Sequence, residues 1–365
     1  MLRQLLLCLG VLVFVPAWGS ACSPEVQKSS KPKKNKDACK ALEKRLRDLK
    51  QSELKKDILV SASEVLEEHK GQQWVRLGDW AFTRLEVNNY RHWNDKQRYE
   101  KKDGDIQVAL ETIIGYDRAL AERDVELVVV LIPGRLETDP TKLPGVELPE
   151  NFAGGNPGLV QFLLDLNEAG VDAIDLGPAF AEQLGAEDED ELYLAYDRHW
   201  TPHAVAVAAR VVSEHLTKEL KIKRGKDKEG RDFVLKREKA SYVVPPAMPK
   251  LLPVAEKPIE LRFDRVLKKD GSPAYEQDRK SPILVLGDSF SIYYRQEACD
   301  FSSRLQAEMR QKLDTIGMRA GASQTVWKNI RRRKDELKGK DVVVWMLVAG
   351  LITAGEVKPI EVFPK

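Results

Sequence analysis

Three side chains in this sequence are of the types that carry out acyl transfer together. Ser289 follows a buried-type strand in ILVLGDSFS, and Asp197 and His199 lie two residues apart in YDRHWTPHA. A serine hydroxyl needs a base to take its proton, and histidine titrates near neutral pH. An aspartate can fix the imidazole and stabilise its charged form. These residues are therefore candidates for nucleophile (Ser289), general base (His199) and orienting acid (Asp197).

Each of these motifs also has a purely structural interpretation. A Gly-x-Ser after a strand is typical of a helix that begins with a capping serine. His199 and His203 are four residues apart, a spacing that zinc sites use when both histidines lie on one helical turn. Pro202 disfavours helical geometry at the residue before it, so we expect the helix to begin after His199. The sequence therefore predicts no metal site.

A mostly parallel α/β sheet is the architecture that must position these residues. Near-continuous apolar strands are predicted at 125–133, 283–287 and 341–348. Asn156-Pro157 and Thr201-Pro202 each pair a capping residue with a first-turn proline, which predicts a helix start. Such sheets place their active sites at the carboxyl ends of the strands, where Ser289 lies.

The chain divides by composition into a leader, a main domain and an insertion. We expect a signal peptide at 1–21, a polar leader with one short amphipathic helix at 22–60, and the main domain at 61–365. Residues 221–280 are rich in lysine and proline and break the strand–helix alternation, so they are predicted to form an irregular insertion within the domain, a lid or a docking surface. The 365 residues, with 42% hydrophobic content, are enough for one large domain with such an insertion.

The amino-terminal residues predict export. Arg3, an apolar stretch and small residues before Cys22 have the build of a secretory signal. Two cleavage interpretations stand: ordinary processing, or a lipoprotein junction in which Cys22 carries lipid. In the second case Cys39 and Cys299 are left to pair as a disulfide in an oxidising compartment. We therefore expect a periplasmic or extracellular protein, with or without a lipid anchor to the membrane.

The charge balance argues against a nucleic-acid partner. The chain has 59 basic and 57 acidic residues, a net charge of +2. Nucleic-acid binding calls for a clear basic excess.

The paired motifs resemble a known family. LVLGDSFS with an upstream DRHWTPHA is similar to the SGNH hydrolase-like domain of the alginate O-acetyltransferase proteins of the AlgX and AlgJ type. WVRLGDWAFTRLE, VVVLIPGRLETDPTKLP and DVVVWMLV resemble further stretches of that domain, over residues 70–350. The resemblance implies a three-layer SGNH-hydrolase-like fold with a central mostly parallel sheet.

The resemblance also implies a function and a set of site residues. Ser289, His199 and Asp197 would be the catalytic triad, and the Ser289 N–H and Gly321 would hold the oxyanion. The resemblance implies that a polysaccharide accepts the acetyl group and that a membrane-bound O-acyltransferase supplies it. It implies no cofactor.

Further residues near the serine are candidates for substrate binding. Tyr293, Tyr294 and Arg295 follow Ser289 closely and could line a sugar site, unless one of the two tyrosines packs inward. Arg135, after the first strand, could face the same cleft or form only an ion pair at the surface. The predicted function is an exported O-acetyltransferase of an extracellular or cell-wall polysaccharide. The alternatives are a carbohydrate esterase with the same triad, or a non-catalytic polysaccharide-binding protein.

Overall fold

The computed structural model describes residues 34–186, 190–226, 233–242, 259–319, 322–335 and 337–363. The helices are α1 (Lys34–Gln51), α2 (Leu54–Glu68), α3 (Arg84–His92), α4 (Lys96–Glu100), α5 (Asp105–Ala121), α6 (Arg135–Thr138), α7 (Pro157–Glu168), α8 (Gly177–Ala181), α9 (Pro202–Lys218), α10 (Ser289–Ile292), α11 (Phe301–Met309), α12 (Ala322–Arg333) and α13 (Ala349–Thr353). The strands are β1 (Trp74–Leu77), β2 (Trp80–Thr83), β3 (Glu126–Ile132), β4 (Asp172–Asp175), β5 (Val234–Tyr242), β6 (Ile259–Leu267), β7 (Ile283–Gly287), β8 (Asp314–Gly317) and β9 (Val342–Val348).

A parallel sheet lies at the centre of the described chain. Five strands form it in the order β4-β3-β9-β7-β8, and every neighbouring pair is parallel. β9 comes last in the chain but lies between β3 and β7. All carboxyl ends therefore meet at one edge of the sheet. The predicted α/β fold with a mostly parallel sheet is confirmed.

The sheet is covered on both faces, which explains its apolar strands. In β3, Leu127, Val129 and Leu131 pack into one hydrophobic cluster, and the alternate residues pack into a second. The first cluster includes side chains of α1, α5, α7 and α12, and the second includes side chains of α8, α9, α11 and β6. Successive side chains of a strand point to opposite faces, so a strand buried on both has no polar positions.

The predicted starts of two helices are confirmed. Asn156 caps α7, with Pro157 as its first residue, and the Asn156 side chain accepts the N–H of Gly158 at 2.9 Å. Thr201 caps α9 in the same way, before Pro202. The second of these caps stops the helix from reaching back to His199.

The segment before the domain differs from the single short helix that we expected. α1 begins at Lys34, and its Leu42 and Leu46 side chains pack into the first hydrophobic cluster. α2 is a separate helix. α2 packs with the β1–β2 hairpin, α3 and the loop after α6 in a satellite cluster. The predicted signal peptide and Cys22 lie outside the described residues. No helix of the described chain is both long and apolar enough to cross a bilayer.

The insertion is not irregular throughout, which corrects the prediction for 221–280. β5 and β6 form an antiparallel ribbon with Val234 opposite Leu267 and Tyr242 opposite Ile259. Leu261 and Phe263 of β6 are buried against the second cluster. The alternation of Ile259, Leu261 and Phe263 is a strand signal that the high charge of the surrounding segment hid.

The predicted disulfide between Cys39 and Cys299 is wrong. Both are free thiols. Cys39 packs against the cluster on one face of the sheet, and Cys299 is buried in the cluster on the other face. Because the sheet separates them, the two sulfurs cannot meet without unfolding the domain.

Candidate active site

The candidate nucleophile lies on a tight turn at the carboxyl end of a buried strand. All five residues of β7 are buried, and the strand ends at Gly287. The Asp288 side chain accepts the N–H of Phe290 at 2.9 Å and caps the short helix α10, whose first residue is Ser289. A capping carboxylate satisfies a backbone N–H that has no helical partner. The cap therefore turns the chain and leaves the Ser289 side chain at the edge of the sheet.

Glycine is required at the end of β7 because the turn folds back onto it. A methyl group on Gly287 would lie 2.6 Å from the Cβ of Ser291 and 3.2 Å from the Cβ of Met346. Ser291 is itself buried and donates its hydroxyl to the Asp288 carbonyl at 2.8 Å. The close approach of Ser291 to the strand sets the position of α10, and with it the position of Ser289.

The candidate acid and base are positioned by a local turn before α9. The Asp197 Oδ1 atom accepts two hydrogen bonds from His199, one from the backbone N–H at 2.9 Å and one from Nδ1 at 2.6 Å. An aspartate that accepts from the backbone two residues on forms an Asx turn. This turn explains how a spacing of two brings the carboxylate directly onto the imidazole.

The structure brings the acid, base and serine into one hydrogen-bonded line. The His199 Nε2 atom is 2.8 Å from the Ser289 Oγ atom, across 90 positions of sequence. The side chains of Asp197 and His199 are each 12% exposed. Burial raises the pKa of Asp197, but hydrogen bonds from His199 and Tyr293 outweigh it and lower this pKa to about 2. Asp197 is therefore ionised at neutral pH and can balance a charged imidazole.

A buried tryptophan connects the two segments of the site. The Trp200 Nε1 atom donates to the carbonyl of Phe290 at 3.1 Å, and the indole is fully buried. Its ring packs on Phe290 and Phe301. Trp200 is therefore a core residue, and its hydrogen bond connects the residue after His199 to the residue after Ser289.

The prediction that Arg135 faces the substrate cleft is wrong. Its side chain is 2% exposed and forms a bidentate ion pair with Glu86 at 2.8 and 2.9 Å. The same guanidinium donates to the carbonyls of Ala81, Leu194 and Ala195. Arg135 therefore joins the β2 hairpin to the segment that leads to Asp197, and the ion pair is buried rather than at the surface.

Tyr294 also does not line a substrate site, which corrects its prediction. It is 2% exposed, and its hydroxyl donates to the carbonyl of Trp200 at 2.9 Å. Arg295 forms an ion pair with Asp300 and lies over the ring of Tyr275 at 3.8 Å. These contacts of the Arg295 side chain are with residues other than Ser289, His199 and Asp197. A role of Arg295 in substrate binding stays a prediction.

Gly321, the predicted second oxyanion donor, lies outside the described residues.

His203 is in the first turn of α9, as expected for a helix that begins after His199. Within the described ranges, no group of three or more histidine, cysteine or acidic side chains could hold a metal ion.

The residue whose role sequence reasoning missed is Tyr293. Its hydroxyl donates to the Asp197 Oδ2 atom at 2.7 Å, and its ring stacks on the His199 imidazole with 3.9 Å between centroids. Its position in the sequence predicts only a place in a sugar site. Position four after the serine was a signal for closeness to the site, but not for contact with the acid and base.

The sheet and its two helical layers define an SGNH-hydrolase-like α/β fold. The family model described as "SGNH hydrolase-like domain, acetyltransferase AlgX" matches residues 79–349, so the chain belongs to that family. A relative named "Probable alginate O-acetylase AlgJ", from Pseudomonas fluorescens, is 25% identical over 201 residues, which are 52% of this chain and 48% of the relative. The chain thus spans about half the length of that relative.

A solved structure supports the same fold. The O-acetyltransferase domain of Pseudomonas putida AlgJ matches with a TM-score of 0.52 and 19% identity, over 76% of this chain and 90% of that chain. At this identity the likeness shows the fold alone.

Proposed function

We propose that this protein is an exported O-acetyltransferase that moves an acetyl group through a serine ester onto hydroxyl groups of an extracellular or cell-wall polysaccharide. The observation that carries the proposal is the line from Ser289 Oγ to His199 Nε2 at 2.8 Å, and from His199 Nδ1 to Asp197 at 2.6 Å. Family membership and the name of the AlgJ relative support O-acetyl transfer.

In the first step the enzyme takes the acetyl group from its donor. His199 Nε2 accepts the proton of Ser289 as Oγ attacks the acetyl carbonyl carbon, and Asp197 stabilises the resulting imidazolium. The tetrahedral intermediate then collapses, the bond to the donor oxygen breaks, and that oxygen takes the proton from His199. The product is an acetyl ester on Ser289.

The oxyanion of each tetrahedral intermediate needs backbone donors. The first N–H groups of a helix have no partner within the helix, and the Ser289 N–H is the first of α10. Losing one such donor costs on the order of 10²–10³-fold in rate. We assign the Ser289 N–H as the first donor and Gly321 as the second.

In the second step a sugar hydroxyl replaces the donor. His199 takes its proton, the sugar oxygen attacks the acetyl carbon, and the ester bond to Ser289 breaks as Oγ recovers the proton. Water in place of the sugar gives an esterase with the same residues. A membrane-bound O-acyltransferase is the proposed acetyl donor, in the periplasm or outside the cell, as the leader predicts.

The test uses the 365-residue chain with a small acetyl ester, with and without a glycan acceptor. We expect Ser289→Ala and His199→Ala to lower acyl turnover by on the order of 10⁴-fold or more. The far-UV circular dichroism spectrum and the thermal unfolding curve should stay unchanged. Ser63→Ala is the matched control, because this exposed serine lies on α2 and donates its hydroxyl to the Leu59 carbonyl at 2.6 Å, within its own helix.

The products separate the competing functions. Acetylated glycan in the presence of acceptor supports transfer, whereas free acetate without acetylated glycan supports the esterase. If no ester is turned over and an active-serine reagent does not label Ser289, the non-catalytic alternative holds and the proposal fails.

A further inference from the structure

One tyrosine contacts both the acid and the base of the candidate site. Resting on the proposed function, we propose that Tyr293 is a positioning residue: its hydroxyl fixes the Asp197 carboxylate and its ring fixes the His199 imidazole, so that Nε2 stays directed at Ser289. The contacts are a 2.7 Å hydrogen bond to Oδ2 and a ring stack with a 15° interplanar angle.

The hydrogen bond completes the coordination of the carboxylate. Oδ1 of Asp197 already accepts both donors of His199, at 2.9 and 2.6 Å. Rotation about the last bond of an aspartate side chain is broad, so these two bonds at one oxygen leave the other oxygen unconstrained. The Tyr293 hydroxyl binds that other oxygen. It therefore locks the carboxylate plane, and it satisfies an acceptor that would be costly to leave unpaired in a buried site.

The ring stack restricts the imidazole in a different way. The imidazole also has a broad preference about its last side-chain bond. Tyr293 lies nearly parallel to it at 3.9 Å, and Phe290 contacts it at 4.8 Å with a 37° tilt. A ring that turned out of this plane would collide with the phenol. The stack therefore holds the imidazole in the plane that serves Asp197 and Ser289 together.

Tyr293 is itself held rigidly by its neighbour. Tyr294 packs edge-on against it with 4.9 Å between centroids, and Tyr294 is anchored by its hydrogen bond to the carbonyl of Trp200. The two tyrosines thus divide their contacts: one holds the backbone after His199, and the other holds the reacting side chains. Because Tyr293 is only four residues from Ser289, the nucleophile and the support of its base move as one unit.

The experiment compares two changes at Tyr293 with one control change at Tyr116, which lies on α5. Tyr293→Phe keeps the stack but removes the hydrogen bond to Asp197, and we expect kcat for the acetyl ester to fall about tenfold with KM unchanged, the effect of one hydrogen bond to a charged group. Tyr293→Leu also removes the stack, and the expected loss is about 10²-fold. Tyr116→Phe, which removes a hydroxyl bonded to the carboxyl-terminal segment, should leave kcat unchanged.

A spectroscopic measurement separates positioning from general loosening. The Nδ1 proton of His199, bonded to Asp197, should give a downfield proton resonance that broadens by faster solvent exchange in Tyr293→Phe. In Tyr116→Phe, which loses a hydroxyl on the other face of the sheet, the resonance should stay sharp.

An unchanged resonance in Tyr293→Phe overturns the proposal, as does equal broadening in Tyr116→Phe. If the unaltered protein has no acyl turnover, the proposed function fails, but the resonance still decides whether Tyr293 holds the Asp197–His199 pair.

Discussion

Adding one methyl group to Gly287, at the end of β7, should lower the activity of the candidate site without changing any of its reacting side chains. In Gly287→Ala the new carbon would lie 2.6 Å from the Ser291 Cβ and 2.7 Å from its Oγ. Ordinary carbon–carbon contacts are about 3.5–4.0 Å, so Ser291 must retreat by roughly 1 Å. Ser291 belongs to the same four-residue helix as Ser289. The nucleophile therefore moves with it and loses its 2.8 Å alignment with His199.

The size of the effect follows from this displacement. Overpacking a core site costs about 1–3 kcal/mol, whereas replacing a strand glycine by alanine returns about 0.5–1 kcal/mol. We expect a net loss of roughly 1–2 kcal/mol in the free energy of unfolding. A misplacement of about 1 Å at a reacting group costs about 10²-fold in rate, so activity should suffer far more than stability.

The assay is urea unfolding together with turnover of a small acetyl ester. The matched control is Gly115→Ala on α5, where an added methyl meets no heavy atom within 4 Å. That change should raise the free energy of unfolding by about 0.5–1 kcal/mol, because alanine loses less conformational entropy than glycine when a helix forms. Turnover should stay unchanged. If Gly287→Ala keeps both the stability and the rate of the unaltered protein, the reasoning about the turn is refuted.

Three further predictions concern buried groups away from the serine. Asp314→Asn should lower the free energy of unfolding in urea by about 3–5 kcal/mol, because it leaves the buried Lys340 ammonium, 2.8 Å from Asp314, without its counter-charge; a loss below about 1 kcal/mol would contradict this. Cys299 is buried and burial raises its pKa, so a thiol reagent should modify it only after unfolding, and a reductant should not change Tm; a lower Tm would indicate a disulfide with Cys39. Burial raises the pKa of Glu137 to about 7, so its contribution to stability is full below about pH 4.5 and is lost as the pH rises through 7. Stability curves against pH for the unaltered protein and Glu137→Gln should diverge over that range, and parallel curves would count against a buried acid.

Local sequence signals predicted the framework well. The caps at Asn156 and Thr201 could be read because a cap involves only residues within one turn of each other. The strand at 283–287 could be read because burial on both faces removes every polar position from it. The close spacing of Asp197 and His199 was informative for the same reason, since their contact is made within one Asx turn.

Residues whose partners are distant in sequence could not be placed in this way. Arg135 is buried because Glu86, 49 positions earlier, folds against it, and nothing near Arg135 indicates that partner. Tyr293 and Tyr294 are adjacent and chemically identical, yet one contacts the acid and base while the other faces the core. Counting cysteines could not reveal that a sheet separates Cys39 from Cys299.

The position of β9 has a consequence for how the protein is made. β3 and β7 do not pair with each other in the sheet; each pairs with β9, which is synthesised after both. Until residues 342–348 emerge, two half-sheets carry open apolar edges that can join other chains. A nascent chain of this protein therefore gains a closed core only after β9 has been made, and we expect truncation before β9 to give an aggregating product rather than a smaller domain.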